Sequence, residues 1–256
     1  MAPRRSVSVL TLVLSLAACA PVPPRFAPGV AVRHVPSPNY DLRRPQYVIL
    51  HHTTNTSAAQ ALATLTDPAR MVSAHYLVGR DGTIYQLVDE RNRAWHAGTS
   101  RWGSDEDVNS SSIGIELDND GFEPYPAVQV DALLALLADI RSRHDIPREN
   151  FLAHGDVAPG RKVDPGALFP WKVLADHGFG AWCDMPESSP GPGRGDDEHL
   201  SDAALLSVVG YDVSDLDAAI RAFNRHFMAL EDEPRLSFAG RAMLECLVRA
   251  RTLPSM

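Results

Sequence analysis

Segments with the pattern of β-strands alternate with segments of helical pattern from residue 47 onward, and this alternation restricts the fold more than any other feature of the sequence. Residues 47–52, YVILHH, follow Pro45 and begin with aromatic, β-branched and aliphatic side chains, which predicts a short buried strand. Residues 126–146 carry apolar side chains at helical spacing and predict a long helix. Strands interleaved with helices are typical of an α/β domain, which we expect to end near residue 183.

A second strand, within residues 111–119, has two chemically different faces. Ile113, Ile115 and Leu117 alternate with polar or small residues, so Glu116 lies on the face opposite the isoleucines. The other elements predicted for this domain are a helix at 57–67, two strands about the Asp81-Gly82 turn within 74–88, and a strand in 150–156 that ends at His154 and runs into a Pro- and Gly-rich loop.

The C-terminal part of the chain has a different composition. Residues 184–199 are rich in Pro, Gly, Ser and acids, and predict a linker. Residues 200–256 then contain three helix-like runs, at 200–210, 215–230 and 239–253. A unit of this size can barely bury a core of its own, so we expect it to lean on the main domain.

The N-terminus has the pattern of a secretory signal peptide. Arg4 and Arg5 precede an apolar run that is too short to span a bilayer and ends in small residues at 18. The sequence LAAC, ending at Cys19, resembles a bacterial lipobox, which implies cleavage before Cys19 and lipid on its thiol. Ala20, rather than an aspartate, favours the outer membrane. The alternative is an ordinary signal peptide (1–18) with an incidental cysteine. Pro-rich residues 19–36 then predict an extended tether before a domain at 37–183.

The charge balance argues against nucleic acid as a partner. The formal net charge is −8, and removing residues 1–18 deletes two arginines and no acids, which gives −10. No later apolar run spans a membrane, so the membrane would be reached only through the lipid. In an oxidising envelope Cys183 and Cys246 either pair or remain as two free thiols, since their separation cannot be judged from the sequence.

Residues 153–166, AHGDVAPGRKVDPG, contain the side chains that suggest a metal site. His154 and Asp164 offer an imidazole nitrogen and a carboxylate oxygen, and a catalytic zinc site uses three protein ligands with the fourth position left to water. The third ligand would come from His51 or His52, which cannot both face one site because side chains alternate along a strand. Spacing alone leaves open a hydrogen-bonded strand-end histidine and a turn-capping Asp164.

Five segments occur in an order that resembles a known family, the type-2 N-acetylmuramoyl-L-alanine amidases, which cut peptidoglycan between muramic acid and its stem peptide. The resemblance covers roughly residues 40–183, and it implies an α/β fold with a mixed central β-sheet flanked by helices. The small C-terminal all-helical domain resembles helical peptidoglycan-binding domains more loosely, and the alternative there is a helical cap without a ligand. The five segments are YVILHHT, SAHYLVGRDGTIYQLV, AWHAG, SSIGIELDN and AHGDVAPGRKVDPGALFPW.

The family pattern implies one zinc ion per chain, held by His51, His154 and Asp164. Glu116 stands at the position of the family's general base, and Lys162 at that of the lysine that supports the reacting carbonyl. Without the resemblance, we would interpret Glu116 as a solvated carboxylate on a strand and Lys162 as an exposed cation in a loop. The residue types suit amide hydrolysis, because zinc acidifies a bound water, a carboxylate moves the proton, and an ammonium stabilises the developing oxyanion.

Other polar residues are weaker candidates. His52 faces away from the metal and borders the peptide groove, and His75 and His96 match groove positions. Arg161 suits a stem-peptide carboxylate, since its fork fits carboxylates. Asp156 either orients a ligand or is a turn residue. The remaining histidines are expected at the surface or in packing: His34, His144, His177, His199 and His226.

Two other functional classes compete with the amidase. A peptidoglycan-recognition module would bind muropeptides without cutting them, but family relatives of that kind tend to lose a ligand, and here all three are present. A zinc endopeptidase would share the metal and differ only in its products. The expected partners are peptidoglycan and muropeptides, and nothing in the sequence demands more than a monomer.

Overall fold

The computed structural model describes residues 29–42, 45–184 and 200–252. The predicted signal peptide, Cys19 and most of the predicted linker lie outside these residues. No helix in the described ranges is long and apolar enough to cross a membrane. The strands are β1 (Val32–His34), β2 (Tyr40–Leu42), β3 (Tyr47–His52), β4 (Tyr76–Val78), β5 (Ile84–Gln86), β6 (Asn92–Ala94), β7 (Ser112–Leu117) and β8 (Phe151–Ala153). The α-helices are α1 (Ala58–Thr66), α2 (Val108–Ser111), α3 (Ala127–His144), α4 (His154–Val157), α5 (Trp171–Asp176), α6 (Asp202–Val209), α7 (Leu216–Phe227) and α8 (Phe238–Thr252), with 3₁₀ turns at Pro68–Arg70 and Arg148–Asn150.

The central sheet is mixed, as expected, with strand order β1-β5-β4-β7-β3-β8. Only β4 and β5, which flank the predicted Asp81-Gly82 turn, run antiparallel, and the other four neighbouring pairs are parallel. A separate antiparallel pair joins β2 and β6. Val32–His34 lies inside the segment predicted as a tether but forms the edge strand β1, so the chain has entered the sheet by Val32.

The central strands have two differently covered faces, as the alternation of their side chains requires. Val48 and Leu50 of β3 share one buried cluster with Ile113 and Ile115 of β7, and α3 covers this face. Ile49 lies in a second cluster on the opposite face. His51 and Glu116 therefore belong to the face away from α3, as predicted for Glu116. The α3 side chains in the first cluster are Val130, Leu133, Leu136, Leu137 and Ile140.

The three predicted C-terminal helices are present and cover the second face of the sheet at β3 and β8. Leu206 of α6, Phe223 of α7 and Leu244 of α8 lie in one buried cluster with Ile49 and Leu152 of the sheet. The helical segment thus shares its core with the sheet, which agrees with the small size of the segment. A disulfide joins Cys183, at the end of the α/β part, to Cys246 in α8, so the pairing left open by the sequence is present.

A buried carboxylate ties the end of α3 to the sheet. Glu90 is 6% exposed and accepts hydrogen bonds from the Tyr76 hydroxyl (2.6 Å), from Nε2 of His144 (2.6 Å) and from the Arg143 guanidinium (2.5 Å). Burial raises the pKa of Glu90, but the hydrogen bonds from His144, Arg143 and Tyr76 outweigh this effect and lower it to about 2. Ionised Glu90 therefore stabilises the fold, and His144 is a partner in this network.

This network predicts a pH-dependent stability. Because the pKa of folded Glu90 lies below the usual 4.5, its contribution is present above pH 4.5 and is lost as the pH falls towards 2. We expect the difference in unfolding free energy between the wild type and Glu90→Gln to shrink by about 2 kcal/mol between pH 7 and pH 3, measured by urea unfolding. Glu106→Gln, at a side chain 74% exposed, is the control and should change stability by less than ~0.5 kcal/mol. An equal difference at both pH values would contradict the prediction.

Candidate metal centre

The site lies where three parallel strands end. β3 runs parallel to β7 on one side and to β8 on the other, and His51 of β3 pairs in register with Glu116 of β7. His154 follows β8 directly. Since the carboxyl ends of neighbouring parallel strands meet at one edge of a sheet, these side chains come together although 103 residues separate His51 from His154.

His154 differs from its predicted position in one respect. It does not end the strand but begins α4, a single turn formed by His154–Val157. The turn is stabilised at its start because the Asp156 carboxylate accepts the N–H of Ala153 (2.8 Å). This local hydrogen bond takes the chain out of the sheet one residue earlier than the apolar pattern indicates.

His51, His154 and Asp164 form a compact and buried cluster. Nδ1 of His51 lies 2.9 Å from Nδ1 of His154, and each nitrogen lies 3.0 Å from Oδ2 of Asp164. The three residues are 1%, 2% and 8% exposed, and within the described ranges they are the group of His, Cys, Asp and Glu side chains whose geometry could hold a metal ion. Two imidazole nitrogens and one carboxylate oxygen suit zinc, with a fourth position left for water or substrate.

The protonation states of the cluster also suit a cation. Burial, together with the neighbouring His154, lowers the pKa of His51 to about 4, which keeps this imidazole neutral at pH 7. Burial raises the pKa of Asp164, but the His154 and His51 nitrogens that lie 3.0 Å from its Oδ2 outweigh burial and hold that pKa well below its usual range. A neutral imidazole and an ionised carboxylate are the forms that bind metals.

Hydrogen bonds fix the orientation of both imidazoles. Nε2–H of His154 donates to the carbonyl oxygen of Ala97 (3.0 Å), which leaves Nδ1 for the cluster. Nε2 of His51 lies 3.1 Å from Nδ1 of His96, whose Nε2 lies 3.2 Å from the Ser112 hydroxyl. With the proton on Nε2 of each ring, His51 donates to Nδ1 of His96, and His96 donates to the Ser112 hydroxyl oxygen. Such outer partners orient metal ligands and set their tautomers.

Glu116 stands beside the cluster and is short of hydrogen-bond partners. Its Oε2 is buried without a hydrogen bond from any described residue. Burial, and then the charge of Asp164, raise the pKa of Glu116 to about 8, while the nearby Lys162 ammonium acts in the opposite direction. A carboxyl group with a pKa near neutrality can both accept and return a proton, which is the property of a general base.

An open cavity of about 340 Å³ exposes this arrangement to solvent. Its walls include the three cluster residues, Glu116 and Lys162, so the structure brings together all five residues that the family pattern selected. A cavity of this volume can hold a small ligand or the part of a longer ligand that reacts. Further wall residues, which the sequence did not indicate, come from neighbouring loops: Thr53, Thr54, Asn55, Val72, Ser73 and Trp95.

The weaker candidates fall in different places. His52 lines the cavity, and so do His96 and Arg161. His75 does not line it, contrary to expectation, because the ring bridges two backbone segments: Nδ1 accepts the N–H of Gly114 (2.9 Å) and Nε2 lies 3.1 Å from the carbonyl oxygen of Asn92.

His96 and Arg161 have structural contacts in addition to their place in the cavity wall. His96 packs so closely on β7 that a Cβ at Gly114 would lie 2.3 Å from the imidazole. The Arg161 guanidinium donates to the carbonyl oxygens of Ala97 and Thr99, and so holds the loop that carries the partner of His154. Both residues therefore support the cluster from outside.

The fold and the site define a class of protein: an α/β enzyme with a buried His-His-Asp cluster beside a glutamate and a lysine, at the carboxyl edge of a mixed sheet. The chain belongs to the N-acetylmuramoyl-L-alanine amidase family, whose sequence model matches residues 41–167. It is an enzyme of that activity by homology.

Three relatives illustrate the match. The chain is 40% identical over 210 residues to the N-acetylmuramoyl-L-alanine amidase AmiD of Escherichia coli K12, covering 72% of this chain and 75% of the relative. It is 36% identical over 163 residues to the 1,6-anhydro-N-acetylmuramyl-L-alanine amidase AmpD of the same organism, covering 56% and 89%. The solved structure of E. coli AmiD with anhydro-N-acetylmuramic acid-L-Ala-D-gamma-Glu-L-Lys superposes with a TM-score of 0.70 at 36% identity, covering 82% of this chain and 90% of that one.

The cluster predicts which side chains control metal content. Replacing His154 or Asp164 with alanine removes one of three ligands, and we expect either variant to lose zinc on dialysis while the wild type keeps one ion per chain, measured by elemental analysis. His177→Ala is the matched control, because His177 is exposed just after α5 and its Nδ1 lies 2.8 Å from the carbonyl oxygen of Val173. Full zinc occupancy in both ligand variants would show that the metal lies elsewhere.

Proposed function

We propose that this chain is a zinc-dependent amidase that cleaves the amide bond between N-acetylmuramic acid, in its ordinary or 1,6-anhydro form, and L-alanine of the peptidoglycan stem peptide, in cell-wall turnover or recycling. The main support is the 2.9–3.0 Å cluster of His51, His154 and Asp164 in one cavity with Glu116 and Lys162. The substrates named for AmpD and in the AmiD complex support the anhydro form.

Zinc fits the donor set of this site. His51, His154 and Asp164 would hold the ion through Nδ1, Nδ1 and Oδ2, which are the atoms that face one another. When bound, zinc would supply a positive charge that polarises the scissile carbonyl and makes a water molecule more acidic.

Glu116 performs the proton transfers in this proposal. Its carboxylate takes a proton from the attacking water as the water oxygen bonds to the carbonyl carbon. The same carboxyl group then gives the proton to the nitrogen of L-alanine as the C–N bond breaks, so the peptide leaves as an amine. A pKa of about 8 suits both steps, because the acid and base forms are both accessible near neutral pH.

Lys162 stabilises the charge that develops on the carbonyl oxygen. Its side chain is half-buried in the cavity wall, and its positive charge acts on both Glu116 and His51. A fixed cation in a partly desolvated site favours the tetrahedral oxyanion over the planar amide, which lowers the barrier.

Substrate contacts extend along the cavity wall. His52, at the end of β3, borders the space for the stem peptide, and burial lowers its pKa. Arg161 lines this cavity and also a neighbouring one of about 480 Å³, so it stands where the two meet. Part of its guanidinium is engaged by backbone carbonyls, and the remainder suits a stem-peptide carboxylate.

The cellular location follows from the N-terminal pattern. In this proposal residues 1–18 direct export, Cys19 carries lipid, and the chain is anchored to the outer membrane facing the periplasm as a monomer. Residues 1–28 lie outside the described part of the structure, so the sequence alone supports this step.

Product analysis separates the amidase from its alternatives. The chain without residues 1–19 would be incubated with purified muropeptides as isolated, with a chelator, and with zinc restored, and the products identified by mass spectrometry. We expect a free glycan and a peptide that begins with L-alanine, both absent with the chelator and regained with zinc. Shortened peptides still attached to sugar would indicate an endopeptidase. Binding without any product would indicate a recognition module.

The role of Glu116 predicts a loss of turnover without a loss of metal. Glu116→Gln keeps the shape of the side chain but cannot carry the proton, so we expect kcat to fall by ~100-fold or more with zinc content unchanged. Glu149→Gln is the control, because Glu149 lies in the turn before β8, at the opposite edge of the sheet. Normal turnover by Glu116→Gln would remove the assignment of the base.

A further inference from the structure

The turn that carries His154 is held by side chains from the C-terminal helices. Asp156, two residues after His154, is 1% exposed and accepts three hydrogen bonds. One comes from the N–H of Ala153 to Oδ2 (2.8 Å). The Tyr211 hydroxyl donates to Oδ1 (2.7 Å), and Nδ1 of His226 lies 2.6 Å from Oδ2. Two of the three partners therefore belong to the C-terminal segment, which was expected to lean on the main domain.

Both of these partners are themselves fixed by aromatic packing. The His226 ring is 5% exposed and stacks on Trp171, with centroids 3.8 Å apart and planes 18° apart. The Tyr211 ring is 3% exposed and packs edge-on against Trp102 (5.0 Å) and Phe223 (6.2 Å). His226 was expected at the surface or in packing, and it is buried with a polar contact. Rigid neighbours limit the positions that the Asp156 carboxylate can adopt.

The segment that carries Asp164 is attached to the same helices. The N–H of Ala167, three residues after Asp164, donates to Oε2 of Glu231 (3.1 Å), and the Arg225 guanidinium donates to Oε1 of Glu231 (3.1 Å). The two ligand segments also contact each other, since the N–H of Gly155 donates to the carbonyl oxygen of Asp164 (2.9 Å).

The contact between the two ligand segments leaves little room for adjustment. A Cβ at Gly155 would lie 3.3 Å from the carbonyl oxygen of Lys162, so the chains are already in close approach. His154, Asp164 and Lys162 therefore lie on two adjacent segments that pack on one side against α7.

We infer that Tyr211 and His226 are positioning residues for the metal site, acting on His154 through Asp156. This inference rests on the proposed zinc site. A helix of four residues has little intrinsic stability, so the place of His154 depends on the contacts of α4. Among the described residues, loss of the Tyr211 hydroxyl leaves the buried Oδ1 of Asp156 without a donor, and loss of His226 leaves Oδ2 with the Ala153 N–H alone. The turn relieves this cost by moving. The C-terminal helices are in this view part of the active-site scaffold.

Single-atom changes test this role. In the full-length chain, Tyr211→Phe and His226→Phe keep the aromatic packing and remove one donor each, whereas His226→Asn retains a donor near the position of Nδ1. Tyr76→Phe is the matched control, because it removes a buried hydroxyl that donates to another carboxylate, that of Glu90, on the far side of the sheet. The zinc dissociation constant would be measured by chelator competition, with kcat, KM and Tm for each variant.

We expect Tyr211→Phe and His226→Phe to weaken zinc binding by about tenfold and to lower kcat more than they change KM. His226→Asn should lie between His226→Phe and the wild type, and Tyr76→Phe should lower Tm while zinc affinity and kcat stay at wild-type values. If Tyr211→Phe lowers Tm as Tyr76→Phe does, but keeps wild-type zinc affinity and kcat, the inference is wrong and the proposed zinc site stands. A wild-type chain that binds no zinc would overturn the proposed site itself.

Discussion

The parallel pairing of β3 with β7 and β8 is the constraint on which the site depends. β3 is buried on both faces, so it occupies the interior of the sheet and needs a partner on each side. Parallel partners on both sides bring the carboxyl ends of three strands to one edge of the sheet. His51, Glu116 and His154 therefore lie close together because of strand pairing and not because of loop conformation. Only Asp164 reaches the cluster from a loop, and the hydrogen bond from Gly155 to its carbonyl oxygen fixes that loop beside the first turn after β8.

The second constraint is that the two faces of this sheet are covered differently. α3 covers one face with aliphatic side chains, whereas the C-terminal helices cover the strands β3 and β8 on the other. The residues that line the cavity at the carboxyl edge all precede this helical segment in the chain. The disulfide between Cys183 and Cys246 joins the helical segment covalently to the domain that it covers. Polar contacts at Asp156 and Ala167 join these helices to the loops that carry His154 and Asp164. The interface that buries the helical segment therefore also contacts the candidate metal site.

Burial has opposite consequences for the titratable groups of the site. It keeps the His51 imidazole neutral and raises the pKa of Glu116 to about 8, because both charged forms are disfavoured away from water. Asp164 is also buried, yet the two imidazole nitrogens that lie 3.0 Å from its Oδ2 hold its pKa well below the usual range and keep it ionised. Burial therefore lowers the pKa of the His51 imidazole and raises that of the Glu116 carboxyl group, whereas the imidazoles beside Asp164 keep its carboxyl group ionised.

The sequence by itself determined the strand at 47–52, the faces of the strand at 112–117, the long helix α3 and the three C-terminal helices, because these depend on the spacing of apolar residues a few positions apart. Its family pattern also selected the five residues that the structure gathers in one cavity. Tertiary structure alone decided that His75 bridges backbone segments, that Cys183 pairs with Cys246, and that Tyr211 meets Asp156 across 55 residues. Such contacts depend on how elements far apart in the sequence pack together, and the local spacing of apolar residues does not predict that packing.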